Sequence, residues 1–107
     1  MIIYVDIDGT ICTLNNSDGE NKDQSLDPAG YDNAKPLQKN IDKINKLYDE
    51  GHTIIYWTAR GTVTNIDWID LTRRQLYDWG CNCHDVRVKK PQYDLWIDDK
   101  SMRIEEV

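Results

Sequence analysis

The sequence predicts an α/β fold built on a mostly parallel sheet, and three observations carry that prediction. Short apolar runs alternate along the chain with segments of helical periodicity. The first run, IIYVDI at 2–7, is nearly continuous, as in a strand covered on both faces. The runs end in polar residues able to do chemistry, and in open parallel sheets ligands gather beyond the carboxyl ends of the strands.

The elements follow in order. Residues 2–7 form the first strand. Residues 15–33, NNSDGENKDQSLDPAGYDN, are polar and rich in Asn, Asp and Gly, and predict an unusually long loop. From Pro36 to Glu50, Leu37, Ile41, Ile44, Leu47 and Tyr48 recur at helical spacing. Pro36 suits the first turn of that helix and Gly51 its end. HTIIYWT, 52–58, is a β-branched and aromatic strand, and ARGTVT turns the chain. A second helix is expected over 65–79, with Ile69, Leu76 and Trp79 inward, Thr64 and Asp67 resembling a capping box, and Gly80 as its stop. HDVRV, 84–88, alternates and reads as a third strand. LWI, 95–97, reads as a short buried strand ending at Asp98 and Asp99, followed by a short helix or irregular tail. Asp94 and His52 fall at the amino ends of their strands, away from the site, and read as structural.

Composition narrows the functions. At 107 residues the chain is expected to be one domain, 1–107, with one modest core. No run of ~18 apolar residues suggests a membrane span. The start, MIIYVDIDGT, has neither the basic region nor the cleavage site of a signal peptide, so a cytoplasmic protein is expected. Cys12, Cys81 and Cys83 are odd in number and lack framework spacing, which argues against a disulfide fold. Cys81-Asn82-Cys83-His84 is too tight for a closed zinc site, and half-buried thiols are expected instead. Thirteen basic against nineteen acidic residues give a net charge of −6. That weighs against nucleic acid, whose affinity comes largely from phosphate neutralisation, and favours a small anionic molecule met by local charges. The basic clusters are Arg73-Arg74, read as a solvated helix face, and Arg87-Val88-Lys89-Lys90.

The carboxyl ends of the strands carry the candidate chemistry. Strand one ends at Asp6, Asp8, Gly9 and Thr10; strand two at Thr58, Ala59 and Arg60; the last at Asp98 and Asp99. Lys89 and Lys90 lie just upstream of that last strand. Crowded carboxylates repel and need a cation. An all-oxygen, carboxylate-rich set suits Mg²⁺, which also binds phosphate.

Asp6-Ile7-Asp8-Gly9-Thr10, then Thr58 closing an apolar strand, then a lysine, then Asp98-Asp99, resemble the four motifs of haloacid dehalogenase superfamily phosphatases. The resemblance covers nearly the whole chain. YDNAKP, INKLYDEGHTIIYWTARG, LTRRQLYDWG and KPQYDLWIDDK further resemble small capless phosphatase-like proteins found near capsule and lipopolysaccharide sugar genes and in some phages. The resemblance implies a three-layer, Rossmann-like core without a cap domain and a Mg²⁺-dependent phosphomonoester hydrolase. In it Asp6 is the nucleophile, and Asp8 protonates the leaving oxygen and then activates water. The backbone of Gly9 and Thr10 turns sharply and offers N–H groups to phosphate oxygens. Thr58 bonds the phosphoryl group, and a lysine stabilises its charge. The family often places that lysine in a G-K-P step. Here the step is Lys89-Lys90-Pro91, so Lys90 is the first choice and Lys89 the alternative. Asp98 and Asp99 complete a metal shell with Asp6 and the backbone carbonyl of Asp8, and Arg60, after Ala59, forks onto a phosphate or a substrate carboxylate.

With no room for a cap, the site should be open, either to bulky substrates or to cover by a neighbouring subunit in a homo-oligomer. The long loop is expected to tune specificity. The expected partner is a small phosphorylated metabolite such as a sugar phosphate. The competing functions are a polynucleotide 3′-end phosphatase, which the T-x-R step resembles, and a non-enzymatic phospho-acceptor or scaffold. Response-regulator receivers also use Asp, Thr, Lys and Mg²⁺, but in the reverse chain order.

Overall fold

The protein is described by a computed structural model covering residues 1–13 and 31–107. Its elements are β1 (Ile2–Val5), a 3₁₀ turn (Tyr31–Asn33), α1 (Gln38–Asp49), β2 (Thr53–Trp57), α2 (Ile69–Asp78), β3 (Asp85–Arg87) and a C-terminal 3₁₀ turn (Ile104–Glu106). The strands form one parallel sheet in the order β1-β2-β3. Ile2 pairs with Thr53 and Val5 with Tyr56, while Ile55 pairs with Asp85 and Trp57 with Arg87. All three carboxyl ends therefore meet along one edge. This is a Rossmann-like α/β fold, and the described residues include no separate cap domain.

Side-chain alternation explains the packing. Val5 and Ile7 of the first segment and Ile54 and Tyr56 of β2 point to the same face of the sheet. Ile41 and Ile44 of α1 and Leu76 of α2 join them in one buried cluster with Ile11 and Cys12. Both helices thus cover the same face. The other face carries Ile2 and Tyr4, both exposed. Tyr4 stands edge-on to Trp57 at 5.7 Å, and the Arg87 guanidinium bonds its hydroxyl at 2.9 Å.

The helices end as their glycines suggest. Gly51, at φ 99°, donates to the Tyr48 carbonyl while His52 donates to that of Leu47, so two terminal carbonyls are satisfied. Gly80, at φ 75°, repeats this with Tyr77, and Cys81 bonds Leu76. The start of α2 differs from expectation. Asp67 Oδ1 accepts the Ile69 N–H at 3.0 Å and Thr64 Oγ1 faces the Ile66 N–H, so no capping box forms and the helix begins at Ile69 rather than near 65. The residues before it make a tight loop, with Gly61 and Asn65 at φ 83° and 62°.

The expected strand at 95–97 does not form. Leu95 and Ile97 are 75% and 87% exposed. The segment instead folds on itself, with Tyr93 and Trp96 in edge-to-face contact at 5.0 Å and Trp96 Nε1 donating to Asp98 Oδ2 at 3.2 Å. His52 precedes β2, and its Nδ1 lies 3.0 Å from the Met1 amino group. The long loop read over 15–33 falls, up to residue 30, outside the described residues. No helix among the described residues is long and apolar enough to cross a membrane.

The β2–α2 loop rests on Gly61. A Cβ there would collide with the Ile66 carbonyl oxygen, in a backbone region that side chains rarely adopt. Gly61→Ala is expected to cost more than about 2 kcal/mol, measured as a lowered urea midpoint, because neither backbone nor carbonyl can yield.

Candidate active site

The turn after β1 builds the first half of the site. Thr10 N–H and Ile11 N–H both donate to the Ile7 carbonyl at 3.0 Å, and Gly9, at φ 86°, donates to the Cys12 carbonyl. This closes a sharp turn that presents Asp6 and Asp8 at the sheet edge. It also engages the Gly9 and Thr10 N–H groups internally, so they are not the anion cradle the sequence suggested.

The two carboxylates meet different cations. Asp6 is the more open, with its side chain 39% exposed. Its Oδ2 accepts the Thr10 hydroxyl at 3.1 Å, and Lys90 Nζ lies 3.5 Å from its Oδ1. Lys90 is held in place. Its N–H donates to the Thr58 carbonyl, its carbonyl accepts the Thr62 hydroxyl at 2.6 Å, and its ammonium lies 5.2 Å from the centre of the Tyr93 ring. Of the two candidate lysines, Lys90 faces Asp6. Lys89 sits at φ 67° and turns elsewhere. Glycine would hold that backbone with less strain.

Asp8 is clamped by Arg60. Arg60 Nε donates to Oδ2 at 3.0 Å and NH2 to Oδ1 at 2.8 Å, a two-point fork. NH1 donates to Thr72 Oγ1 at 3.1 Å and Gln75 Oε1 at 2.6 Å, and NH2 also faces Cys12 Sγ at 4.0 Å. The five N–H groups thus have five partners. The Tyr31 ring covers the guanidinium at 4.6 Å. Arg60 is 1% exposed. Burial alone would lower its pKa, yet hydrogen bonding to Asp8 and the charge of that carboxylate raise it above its ordinary value. Arg60 is therefore a buried partner of Asp8 and not the open anion fork expected of it.

Thr58 ends β2 at 1% exposure. Its hydroxyl accepts the Arg60 N–H at 3.1 Å and so steers the chain into the loop. Ala59 accepts the Thr62 N–H and tightens the same loop. Cys12 is an inert thiol. Burial, followed by the charge of Asp8, pushes its pKa up to about 12. Burial likewise pushes Cys81 up to about 11.

Asp98 and Asp99 stand apart from this group. Both are exposed; Asp98 accepts Trp96 Nε1 and the Lys100 N–H, and Asp99 lies 3.8 Å from Lys100 Nζ. The Lys100 N–H and then Trp96 hold the Asp98 carboxyl below its usual range. Among the described residues no three His, Cys, Asp or Glu side chains converge to hold a metal. The carboxylate shell anticipated for Mg²⁺ is not assembled, and Asp6 is the carboxylate left open beside the turn. Thr72, Gln75 and Tyr31 were not foreseen as site residues. The signal for Thr72 and Gln75 lay in LTRRQL, where they share the inward face with Leu76; Tyr31 carried none.

Compared with known proteins, the chain matches no family profile and no curated protein. It is similar to a structural-genomics target from Vibrio cholerae solved by crystallography, with a TM-score of 0.77 and 24% identity over 99% of this chain and 86% of that one. That likeness shows the fold.

Removing Arg60 would strand Asp8 and leave Thr72 and Gln75 without their donor. Arg60→Met is expected to destabilise the protein by about 3 kcal/mol in urea unfolding, and Arg60→Lys to recover little of it, because an ammonium cannot fork.

Proposed function

We propose that the chain is a phosphomonoester hydrolase of the haloacid dehalogenase type, acting on a small phosphorylated metabolite such as a sugar phosphate. The observation that carries this reading is the Asp6–Lys90 pair beside a second, separately held carboxylate, Asp8, on one sheet edge. A nucleophilic carboxylate needs access, a fixed orientation and a nearby cation for the phosphoryl oxygens. Asp6 has its half-open side chain, the Thr10 hydroxyl and Lys90 for these.

The chemistry divides between the two carboxylates. One Asp6 oxygen attacks phosphorus, the bond to the leaving oxygen breaks, and Asp8 gives that oxygen its proton. Water then attacks phosphorus, the bond to Asp6 breaks, and Asp8 takes the proton of the water, ready for the next cycle. Arg60 keeps Asp8 aimed through both steps. Lys90 offsets the charge that gathers on the phosphoryl oxygens. Mg²⁺ belongs to this reading through Asp6 and the phosphate, since magnesium is commonly held by one or two carboxylates with substrate phosphate and water. When bound, it would neutralise charge between nucleophile and phosphate.

One observation favours the phospho-acceptor reading. Both oxygens of Asp8 are engaged by Arg60, which suits a carboxylate that only accepts hydrogen bonds. Turnover decides between the two.

Phosphate release from a panel of sugar phosphates, nucleotides and a 3′-phosphorylated oligonucleotide, with and without Mg²⁺, tests the proposal. The expected result is Mg²⁺-dependent turnover of a small ester, reduced to background by Asp6→Asn and by about 10²–10³-fold by Lys90→Gln. Absence of turnover in folded protein would contradict it.

A further inference from the structure

The residues that follow Lys90 build a second surface beside Asp6. Lys90 Nζ lies 3.5 Å from Asp6 Oδ1, and the same ammonium stands over two aromatic rings, 5.2 Å from the centre of Tyr93 and 5.7 Å from that of Trp96. The two rings meet edge to face, with centroids 5.0 Å apart and planes inclined by 64°. They form a corner whose ring faces look onto Lys90, which in turn faces the open carboxylate. Packing does not use these rings up. Tyr93 is 43% and Trp96 42% exposed, and neither is part of the buried cluster among the described residues.

The corner is open yet held. The Lys90 ammonium donates to the Tyr93 hydroxyl at 3.4 Å. The Trp96 indole N–H donates to Asp98 Oδ2 at 3.2 Å, and Asp98 Oδ1 accepts the Lys100 N–H at 2.6 Å, so the indole is tied to a turn of backbone. Asp98 thereby orients Trp96. Two large aromatic side chains left in water and fixed in orientation, next to a carboxylate and a cation, have the composition of a small-molecule site: apolar ring surface with a few placed polar groups.

We infer that Tyr93 and Trp96 form the subsite for the leaving group of the ester cleaved at Asp6, and that this group is a sugar ring carried on the ester oxygen directly or through one carbon. The inference rests on the proposed hydrolase reading and deepens it. Reach sets the distance. Phosphorus under attack sits about 3–3.5 Å from an Asp6 oxygen, which puts the phosphoryl oxygens beside Lys90 and the first atoms beyond the ester oxygen against the two rings. Chemistry sets the class. The face of an aromatic ring is the negative side of its quadrupole, and it receives the Lys90 ammonium for that reason. The C–H face of a sugar ring is apolar and weakly positive, so it meets the same surface while its hydroxyls stay in water. An acyclic chain covers less of both rings, and a second anion on the leaving group would meet their negative faces.

Two readouts test this. The first is the ratio of kcat/KM for glucose 1-phosphate over glycerol 3-phosphate, a cyclic and an acyclic ester that each carry one phosphate. The wild type is expected to favour the sugar by about ten-fold, and Trp96→Ala to bring the ratio close to one. Any loss common to both esters, such as a displaced Lys90 would cause, cancels in the ratio. A wild-type ratio near one, or the same ratio in Trp96→Ala, overturns the subsite. The second readout needs no turnover: nuclear Overhauser effects in Asp6→Asn protein mixed with glucose 1-phosphate. Contacts from the Trp96 and Tyr93 ring protons to the sugar C–H protons, lost in Trp96→Ala, support the subsite. If they occur while the wild type releases phosphate from no ester, the ring site stands and the hydrolase reading falls. If esters are hydrolysed with an unchanged ratio and no such contacts form, the subsite falls alone. Neither turnover nor contacts overturns both. Should Trp96→Ala not fold, Tyr93→Leu gives the same comparison.

Discussion

Arg60 uses all five of its N–H groups inside the protein: two on Asp8, two on Thr72 and Gln75, and one toward Cys12. The partners lie on two separate parts of the chain. Asp8 and Cys12 lie on the turn after β1, Arg60 itself follows β2, and Thr72 and Gln75 lie on α2. Burying a guanidinium is costly unless its charge and its donors are met, and here both are. The same requirement works in reverse. Once the guanidinium is buried, the turn, the loop and the helix must keep their relative positions or leave donors unmet. The shape of the sheet edge is therefore set by a polar interaction more than by the apolar core beneath it.

That constraint separates the two aspartates of D-x-D. They are crowded in sequence, but each is given its own cation, Arg60 for Asp8 and Lys90 for Asp6. The difference lies in burial. Arg60 is closed in and its fork is rigid, whereas Lys90 is a single ammonium beside an open carboxylate, over the Tyr93 ring. One carboxylate is thereby fixed and the other left available, a division that the proposed hydrolase reading would use for its acid–base group and its nucleophile. The β2–α2 loop supports this division. Thr58 and Gly61 bend it sharply, and the Thr62 hydroxyl anchors the Lys90 carbonyl.

Much of this was legible in the sequence. The α/β class, both helices and three of the four expected strands follow from apolar periodicity. The sharp ends at Gly51 and Gly80 follow from the conformational freedom of glycine. The Asp6–Lys90 approach was expected only through the family resemblance, which singled out Lys90 in the Lys89-Lys90-Pro91 step and kept Lys89 as the alternative. The role of Arg60 was not legible. A lone arginine after a strand reads equally as a ligand fork or a structural pair, and only the inward placement of Thr72 and Gln75 decides between them. The strand at 95–97 failed for a related reason. Three apolar residues suggest burial, but the local Tyr93–Trp96 contact and the Asp98 turn compete with pairing, and a short run carries too little pattern to exclude that outcome. Without that strand, Asp98 and Asp99 have no sheet edge to reach.

The central claim is that Asp6 accepts the phosphoryl group. Its most direct test is to mix the protein with its best-turned-over phosphomonoester, quench, reduce with borohydride and map the product by mass spectrometry. Borohydride converts an aspartyl-phosphate to homoserine. The account predicts that conversion at Asp6 alone, and its loss when Arg60→Met misplaces the neighbouring acid–base group or when Asp6→Asn removes the acceptor. Conversion at Asp8 or another carboxylate, or turnover with no acyl intermediate at any of them, would contradict it.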